Sequence, residues 1–313
     1  MTKILEKFPK IYRIGNENTK WILKYPVCIK EKIDGSQFGF GNLNGSIQKR
    51  TKNYLLGSEL DMNGAFFNAV KKVEEIKNLI PLNHCFYCEY LKIPKHNKLK
   101  YTRIPNGNLI LFGYKFFDEE SKTWFYTTEQ SRLKYFSDLF GIECIPEFSS
   151  SFEIKEISQL GFFLKRESIL GNANIEGIVV CPSYTPDAPY FDEKTFSLGK
   201  YLSKEFQETK KINLAEFSSF NKKIEIISDI FRTEARWNKA VQKLRDSGML
   251  ENSEKDIGKI IKEIQNDIIE EESEYIKKLL YDEFKRYILL NSVKGFSEWY
   301  KNLLFEKLFL NYD

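Results

Sequence analysis

Short segments in which apolar and polar residues alternate dominate the first two-thirds of this chain. A period of two is typical of β-strands with one face on a core, and turn residues separate the segments. The segments with this pattern are Trp21–Lys32, Gln37–Phe40, Ile47–Lys49, Cys85–Leu91, Leu109–Phe116, Thr123–Tyr126, Gly177–Pro182 and Phe196–Leu202. We therefore expect a mostly antiparallel sheet structure up to about residue 206.

A helical period of apolar residues appears three times within this region and takes over completely after it. The three early helices are predicted at Asn68–Leu79, Thr128–Phe140 and Ile154–Arg166. After about Leu214 the helical spacing continues through 224–244, Glu254–Glu274, Tyr275–Asn291 and Phe296–Phe309, with Gly248 and Gly295 as stop signals. The pattern predicts an α+β domain over residues 1–212 and a small all-α domain over 213–313.

One turn stands out because of the charges beside it. Asp34-Gly35 separates two alternating segments, and this combination predicts a β-hairpin. Lys30, Glu31 and Lys32 precede the turn directly. Considered alone, Lys32 fits a solvated turn lysine.

Composition indicates a globular protein and narrows its partners. The 313 residues are 42% hydrophobic and 29% charged, with a net charge of +4. Residues 221–313 contain 17 Lys and Arg against 18 Asp and Glu, so the excess of positive charge lies in the first 220 residues, where a polyanion is expected to bind. Charges near Met1 argue against a signal peptide, no uncharged run is long enough to cross a membrane, and five cysteines fit a reducing compartment. We expect a cytoplasmic protein.

A Cys-x-x-Cys motif at Cys85 and Cys88 suggests a metal or redox site, but its context argues against one. The surrounding segment has the pattern of a strand, on which residues three apart point to opposite faces. Only two histidines are present, His84 and His96, and no second cysteine pair has zinc spacing. Zinc binding and cysteine–histidine catalysis are therefore poorly supported.

Five other segments place ionisable residues in strand-like apolar surroundings. They are EKIDGSQ (31–37), QKRTKN (48–53), YCEYL (87–91), NIEGIVV (174–180) and SLGKYLSKEF (197–206). Each alone fits a polar residue on the solvent face of a strand. Their order and spacing, however, resemble the motifs of the covalent nucleotidyltransferase superfamily, which comprises ATP-dependent DNA ligases, RNA ligases and mRNA capping enzymes.

The resemblance implies a role for each motif residue. Lys32 of Lys-x-Asp-Gly would be the nucleophile that takes AMP from ATP, with Glu31 and Ile33 beside it in the nucleotide site. Glu89 would bind the ribose, and Glu176 would lie near a magnesium or manganese ion. Lys200 would stabilise charge on the α-phosphate. The implied fold is an antiparallel-sheet nucleotidyltransferase domain, the ATP-grasp-like ligase adenylation fold.

Three details make the chain similar to the RNA ligase 2 family of phage-type nick-sealing enzymes. DNA ligases and capping enzymes typically carry an arginine where this chain has Gln37. Arg50 matches a Lys-Arg-Thr segment whose arginine contacts the nucleotide and the RNA end. Phe112 stands where the family stacks an aromatic ring on adenine, although core packing explains a phenylalanine there equally well. The helical C-terminal region also matches this family rather than the β-barrel domain of DNA ligases.

The chain departs from the family in its last motif. The family has two lysines separated by one residue, whereas here Lys200 is followed by Tyr201 and Leu202. On a strand with a period of two, Lys204 would share a face with Lys200, so Lys204 is a second candidate for the nucleotide site.

A basic stretch follows the Glu89 strand directly. It contains Lys95, Lys98 and Lys100, and either solvates a loop or binds RNA phosphates.

These features together predict an ATP-dependent RNA ligase with a lysyl-AMP intermediate. Its partner would be RNA with a 5′-phosphate and a 3′-hydroxyl, held as a nicked duplex and prepared by an end-healing kinase or phosphatase. The alternatives are a DNA ligase, a GTP-dependent capping guanylyltransferase, and an inactive RNA-binding protein that keeps the fold. The sequence does not indicate an oligomeric state.

Overall fold

The fold is α+β, as predicted. A computed structural model describes residues 4–57, 64–183, 191–192, 195–207, 209 and 220–309. Two antiparallel sheets and short helices form the first part of the chain, and helices alone form the last part. The chain divides into two compact units, one made of residues 1–207 with 241–253 and the other of residues 208–240 with 254–313.

The first sheet has five strands, all antiparallel except for one pair. The strands in chain order are β1 (Ile11–Arg13), β2 (Val27–Lys32), β9 (Glu147–Phe152), β10 (Gly177–Pro182) and β12 (Leu198–Leu202). Their order across the sheet is β1-β12-β10-β2-β9, with β1 and β12 parallel. The sheet therefore brings the Lys32 strand, the strand after Glu176 and the Lys200 strand together as neighbours.

The second sheet contains the other strand-borne motifs. Its strands are β3 (Ser36–Leu43), β4 (Ser46–Thr51), β5 (His84–Tyr90), β6 (Leu109–Asp118), β7 (Thr123–Thr127), β8 (Glu143–Cys144) and β11 (Phe191–Asp192). The order is β11-β7-β6-β5-β3-β4, and β8 pairs with β6. Glu89 on β5 thus lies in a different sheet from Lys32.

The predicted hairpin at Asp34-Gly35 is wrong. Strand β2 pairs with β10 and β9, so both of its edges are occupied, while β3 pairs with β4 and β5. The chain crosses at this turn from one sheet to the other. The side chain of Ile33 is buried in a core of the second sheet, which fixes the crossing. The alternating pattern identified both strands correctly but carried no information about which strands pair.

The core between the sheets explains the cysteine motif. Cys85 and Tyr87 on β5 pack in one cluster with Cys28 and Cys181 of the first sheet, so this face of β5 lies toward that sheet. Cys88 belongs to a separate cluster on the opposite face of the strand. The two thiols of the motif therefore point in opposite directions, as predicted.

The helices near the sheets match the expected periods with small shifts. Helix α1 (Phe67–Ile76) and helix α2 (Gln130–Phe140) lie within the predicted ranges. The third predicted helix is a 3-10 helix at Ile157–Lys165. Residues Ile22–Lys24, predicted as the start of a strand, also form a 3-10 turn, so β2 begins only at Val27.

The last part of the chain is helical as expected, with different breaks. Its helices are α3 (Phe220–Phe231), α4 (Glu234–Asp246), α5 (Ile257–Ser292) and α6 (Phe296–Phe309). Thr233 separates α3 from α4, and its hydroxyl accepts a hydrogen bond from the Arg236 amide at 3.3 Å. The predicted break near Glu274 is wrong, because 257–292 continues without a proline. Among the described residues, every helix is too short or too polar to pass through a bilayer.

Candidate active site

Lys32 is the last residue of β2 and lies opposite Gly177, the first residue of β10. This register brings the side chain of the preceding residue, Glu176, to Lys32. The Lys32 ammonium donates a hydrogen bond of 2.8 Å to Oε2 of Glu176. Both side chains are largely buried, with 24% and 10% of their surfaces exposed. Lys32 is therefore not the solvated turn lysine that the sequence alone would allow.

The glycine after Glu176 makes this register possible. A Cβ atom on Gly177 would lie 2.6 Å from the carbonyl oxygen of Tyr201 on the neighbouring strand β12. It would also lie 2.9 Å from a methyl carbon of Leu202. The Glu-Gly pair of the motif thus combines a functional carboxylate with a position that has no room for a side chain.

Glu89 comes to the same site from the second sheet. It lies directly opposite Gln37 on the neighbouring strand β3, so the two side chains occupy the same face. A Cβ atom on Gly35 would lie 3.2 Å from Oε2 of Glu89, so the glycine allows the crossing chain to pass close to this carboxylate. The backbone of Gly35 is not left-handed, and space rather than turn geometry requires the glycine.

Burial and the clustering of negative charge shift the pKa values of both glutamates. Burial raises the pKa of Glu89 to about 8, and the carboxylate of Glu176 adds to this effect against the opposing charge of Lys32. Burial also raises the pKa of Glu176 to about 7, although Lys32 and Lys200 oppose this. The site is therefore short of positive charge when no ligand is bound.

The protonation state of Lys32 follows from the same groups. Burial lowers the pKa of its amine, but Glu176 and Glu89 together raise the pKa by more, and the net change is upward. The ligand-free protein consequently holds Lys32 as an ammonium ion. A nucleophilic amine requires that the negative charge around Lys32 be compensated or that the amine move away from Glu176.

The carboxylates fit a divalent cation of the magnesium type. Such ions take oxygen ligands and keep several waters and phosphate oxygens in their coordination shell. Glu176 and Glu89 are oxygen donors with unfavourably raised pKa values. Within the described residues, no cluster of three or more acidic, histidine or cysteine side chains forms a cage. Glu176 would hold the ion, which would supply positive charge at the phosphates.

The turn beyond Lys32 is fastened by a loop that the sequence did not single out for this role. Both the Lys98 and Leu99 amides donate to one oxygen of Asp34, at 2.8 and 2.7 Å. The Asp34 amide donates to the Tyr101 hydroxyl at 2.8 Å, and the Asn97 side chain donates to the Gly35 carbonyl at 2.9 Å. Asp34 therefore orders the turn, and the only sequence signal for the loop was its place directly after the Glu89 strand.

The two lysines of the last motif occupy different kinds of structure. Lys200 lies on β12 opposite Val179, and its charge lowers the pKa of Glu176, which places it in the electrostatic surroundings of the site. Strand β12 ends at Leu202, and Lys204 begins an exposed 3-10 turn, Lys204–Phe206. The argument that a period of two puts Lys204 on the face of Lys200 is therefore wrong.

The neighbours of Lys32 in the sequence point away from it. Glu31 is buried, and its carboxylate accepts hydrogen bonds from the Ser168 hydroxyl at 2.5 Å and the Ile169 amide at 3.2 Å. Burial raises the pKa of Glu31 to about 7, while these hydrogen bonds oppose the shift. Ile33 is buried in the core of the second sheet. The side chains of these two predicted nucleotide-site residues contact protein, and only their backbones lie beside Lys32.

Arg50 lies on β4, beside the strands that carry Gln37 and Glu89. Its guanidinium donates to three backbone carbonyls, those of Thr51 at 2.8 Å, Leu5 at 2.9 Å and Lys52 at 3.2 Å. Burial lowers its pKa. The arginine thus ties the N-terminal segment to the edge of the second sheet, a contact that the sequence did not indicate.

Phe112 is presented by an irregularity of β6. Gly113 pairs with Tyr87 and Leu111 pairs with Cys88, so Phe112 is the extra residue of a β-bulge. Bulges turn a side chain away from the regular alternation and are frequent beside active sites. Its ring contacts Phe8 edge to face, with centroids 5.0 Å apart.

The three lysines of the basic stretch are exposed, but one of them is engaged. Lys98 donates to the carbonyl of Glu205 at 2.6 Å and lies 4.7 Å from the centre of the Phe206 ring. Lys95 and Lys100 are exposed on the same loop.

No protein-family model and no curated protein matches this chain. Among solved structures, the chain is similar to an RNA ligase from Naegleria gruberi with pyrophosphate, at 18% identity and a TM-score of 0.47. It is also similar to variants of that ligase with ATP and manganese (20%, 0.46) and with AMP and manganese (20%, 0.47). Each similarity covers 65% of this chain but only 59% of the other. These proteins are RNA ligases, the enzyme class of the family that the motifs resemble.

Proposed function

We propose that this protein is an ATP-dependent RNA ligase and that Lys32 is its nucleophile. The observation that carries the proposal is the buried pair of Lys32 and Glu176, joined at 2.8 Å, with Glu89 brought to the same place from the other sheet. A lysine that is buried, accessible on one side and surrounded by carboxylates is suited to covalent chemistry once its proton is lost.

The first step is self-adenylation. The neutral amine of Lys32 attacks the α-phosphorus of ATP, a nitrogen–phosphorus bond forms, and the bond to the bridging oxygen of the β-phosphate breaks. Pyrophosphate leaves with the bonding electrons, and Glu176 is placed to accept the proton from the amine. Lys200 would stabilise negative charge on the α-phosphate, Glu89 would accept hydrogen bonds from ribose hydroxyls, and Phe112 would stack on adenine.

Two further steps complete ligation. An oxygen of an RNA 5′-phosphate attacks the phosphorus of lysyl-AMP, which returns the electron pair of the broken bond to Lys32. A 3′-hydroxyl then attacks the 5′-phosphorus, so that the phosphodiester forms and AMP leaves. The substrate would be a nick or break in base-paired RNA that an end-healing kinase or phosphatase has prepared. Arg50 and the exposed lysines Lys95 and Lys100 would contact the RNA backbone.

The test is formation of a covalent adduct. Purified protein is incubated with α-labelled ATP and magnesium, denatured, and analysed for bound label that acid releases. We expect label on the wild type and on the control Lys134→Ala, which changes an exposed helix position, and no label on Lys32→Ala. A wild type without an acid-labile adduct would refute the proposal, and so would an undiminished adduct on Lys32→Ala.

Two comparisons in the same assay separate the alternatives. Stronger labelling from GTP than from ATP would indicate a capping guanylyltransferase. Sealing of a nick in duplex DNA in preference to RNA would indicate a DNA ligase. Binding of nicked RNA without any adduct would indicate an inactive protein that has kept the fold.

A further inference from the structure

A helix end far along the sequence contacts the turn that follows Lys32. The last turn of α4 belongs to the same compact unit as the two sheets. From it, Asp246 accepts a hydrogen bond of 2.7 Å from the Ser36 hydroxyl, and Gln242 donates one of 3.0 Å to the Gly35 carbonyl. These contacts join residues more than 200 positions apart.

The direction of the hydrogen bonds through Ser36 is fixed. The Lys92 amide donates to Nδ1 of His96 at 3.1 Å, so this nitrogen carries no proton. The other ring nitrogen, Nε2, must then be the protonated one in the neutral ring, and it donates to Ser36 Oγ at 2.9 Å. The Ser36 hydroxyl passes its own proton toward Asp246. A chain of hydrogen bonds thus runs from His96 through Ser36 and ends on a carboxylate.

Asp246 is an unusual residue for its position in the helix. It is the last residue of α4, where the helix dipole disfavours a negative charge. Its carboxylate is also partly buried, and burial raises its pKa. The Tyr54 hydroxyl donates to its backbone carbonyl at 2.7 Å, which holds the helix end in place. A residue that breaks local preferences in this way often serves a site elsewhere in the molecule.

We infer that Asp246 and Gln242 are positioning residues for the adenylation of Lys32. They hold Gly35 and Ser36, the residues through which the chain passes from the Lys32 strand into β3, and so fix the direction in which the amine approaches a nucleotide. The inference rests on the proposed function and adds to it. It makes the end of α4 part of the adenylating unit, although none of the nucleotidyltransferase motifs lies there.

The test compares single-turnover adenylation of full-length variants. We expect Asp246→Ala and Ser36→Ala each to lower the rate constant at saturating ATP by roughly tenfold or more, because small errors in alignment are costly to in-line attack. The concentration of ATP at half-saturation should change by less than about twofold, since neither side chain binds the nucleotide. Asp246→Asn keeps an acceptor for Ser36 and should retain most of the rate. Asp138→Ala, at an exposed helix position, is the matched control.

A double variant distinguishes positioning from a general loss of structure. If Asp246 acts through Ser36, then Ser36→Ala/Asp246→Ala should be no slower than the slower single variant. Multiplied effects in the double variant, a rate for Asp246→Ala within twofold of wild type, or equal losses in Asp246→Asn and Asp246→Ala would each overturn the inference while leaving the proposed function intact. A wild type that forms no adduct would overturn both.

Discussion

Nζ of Lys32 lies 2.8 Å from Oε2 of Glu176, although the two residues are 144 positions apart in the chain. The contact exists because β2 and β10 pair in antiparallel register with Lys32 opposite Gly177. It has a chemical consequence, since the carboxylate that holds the amine also keeps it protonated. Catalysis by this lysine must therefore begin with a change in the balance of charge around it.

The pKa of Lys32 can be measured in the ligand-free protein. Competitive labelling of amines with acetic anhydride over a range of pH gives a titration curve for each lysine-containing peptide. We expect Lys32 to titrate above the value of about 10.4 that is usual for an exposed lysine. Glu176→Gln removes the nearest negative charge and should lower the Lys32 pKa by at least about one unit. Equal titration of Lys32 in the two proteins would contradict the assigned cause, and exposed Lys134 is the internal control.

Glu89 should make the stability of the protein depend on pH. Its pKa is about 8 in the folded protein and near the ordinary value of about 4.3 in the unfolded chain, so the folded state binds the extra proton between these values. Stability from this group is therefore lost as pH rises from about 4.3 toward 8.

The variant Glu89→Gln removes this dependence and provides the measurement. Near pH 5 its melting temperature should be close to that of the wild type. At pH 8.5 the variant should melt at least about 3 °C higher, because the wild type then carries a buried carboxylate. Glu153→Gln, at an exposed position, should show no such divergence. A variant that loses its advantage as pH rises would show that the sign of the pKa shift is opposite.

Gly177 should tolerate no side chain. A Cβ atom there would meet the Tyr201 carbonyl at 2.6 Å, and backbone on the neighbouring strand cannot move without breaking the pairing of β10 with β12. We expect Gly177→Ala to lower the free energy of unfolding by about 1–3 kcal/mol, measured by urea denaturation. Gly57→Ala, where a Cβ meets nothing within 4 Å, is the control. Equal stabilities for the two variants would contradict the register that pairs Gly177 with Leu202.

Arg50 should be irreplaceable by lysine for stability, whatever its role toward ligands. Its planar group reaches three carbonyls at once, and a single ammonium on a flexible stem cannot reproduce this arrangement. We expect Arg50→Lys to cost about 1–2 kcal/mol of unfolding free energy. Arg232→Lys changes an exposed ion pair with Asp229 and should cost less than about 0.5 kcal/mol. A loss at Arg50 no larger than at Arg232 would show that these hydrogen bonds do not contribute to stability.

The sequence by itself determined the elements and the faces of the strands. Alternation of apolar residues located β2, β3, β5, β6, β7, β10 and β12 to within a few residues, except that β2 begins later than predicted. It also placed Cys85 and Cys88 on opposite faces, because side-chain direction on a strand depends only on local geometry. The helical period identified the last part of the chain for the same reason, although it misplaced the breaks. The motif order indicated which residues meet at the site.

Only the tertiary structure decided how these elements combine. The Asp34-Gly35 turn connects two sheets rather than two paired strands, Lys204 lies beyond the end of β12, and the Glu31 carboxylate faces Ser168. Asp246 reaches Ser36 without any motif to announce it. Each of these facts depends on contacts between distant parts of the chain. Local periodicity records which side of an element is apolar, whereas pairing, register and the partners of buried charges are set by packing of the whole unit.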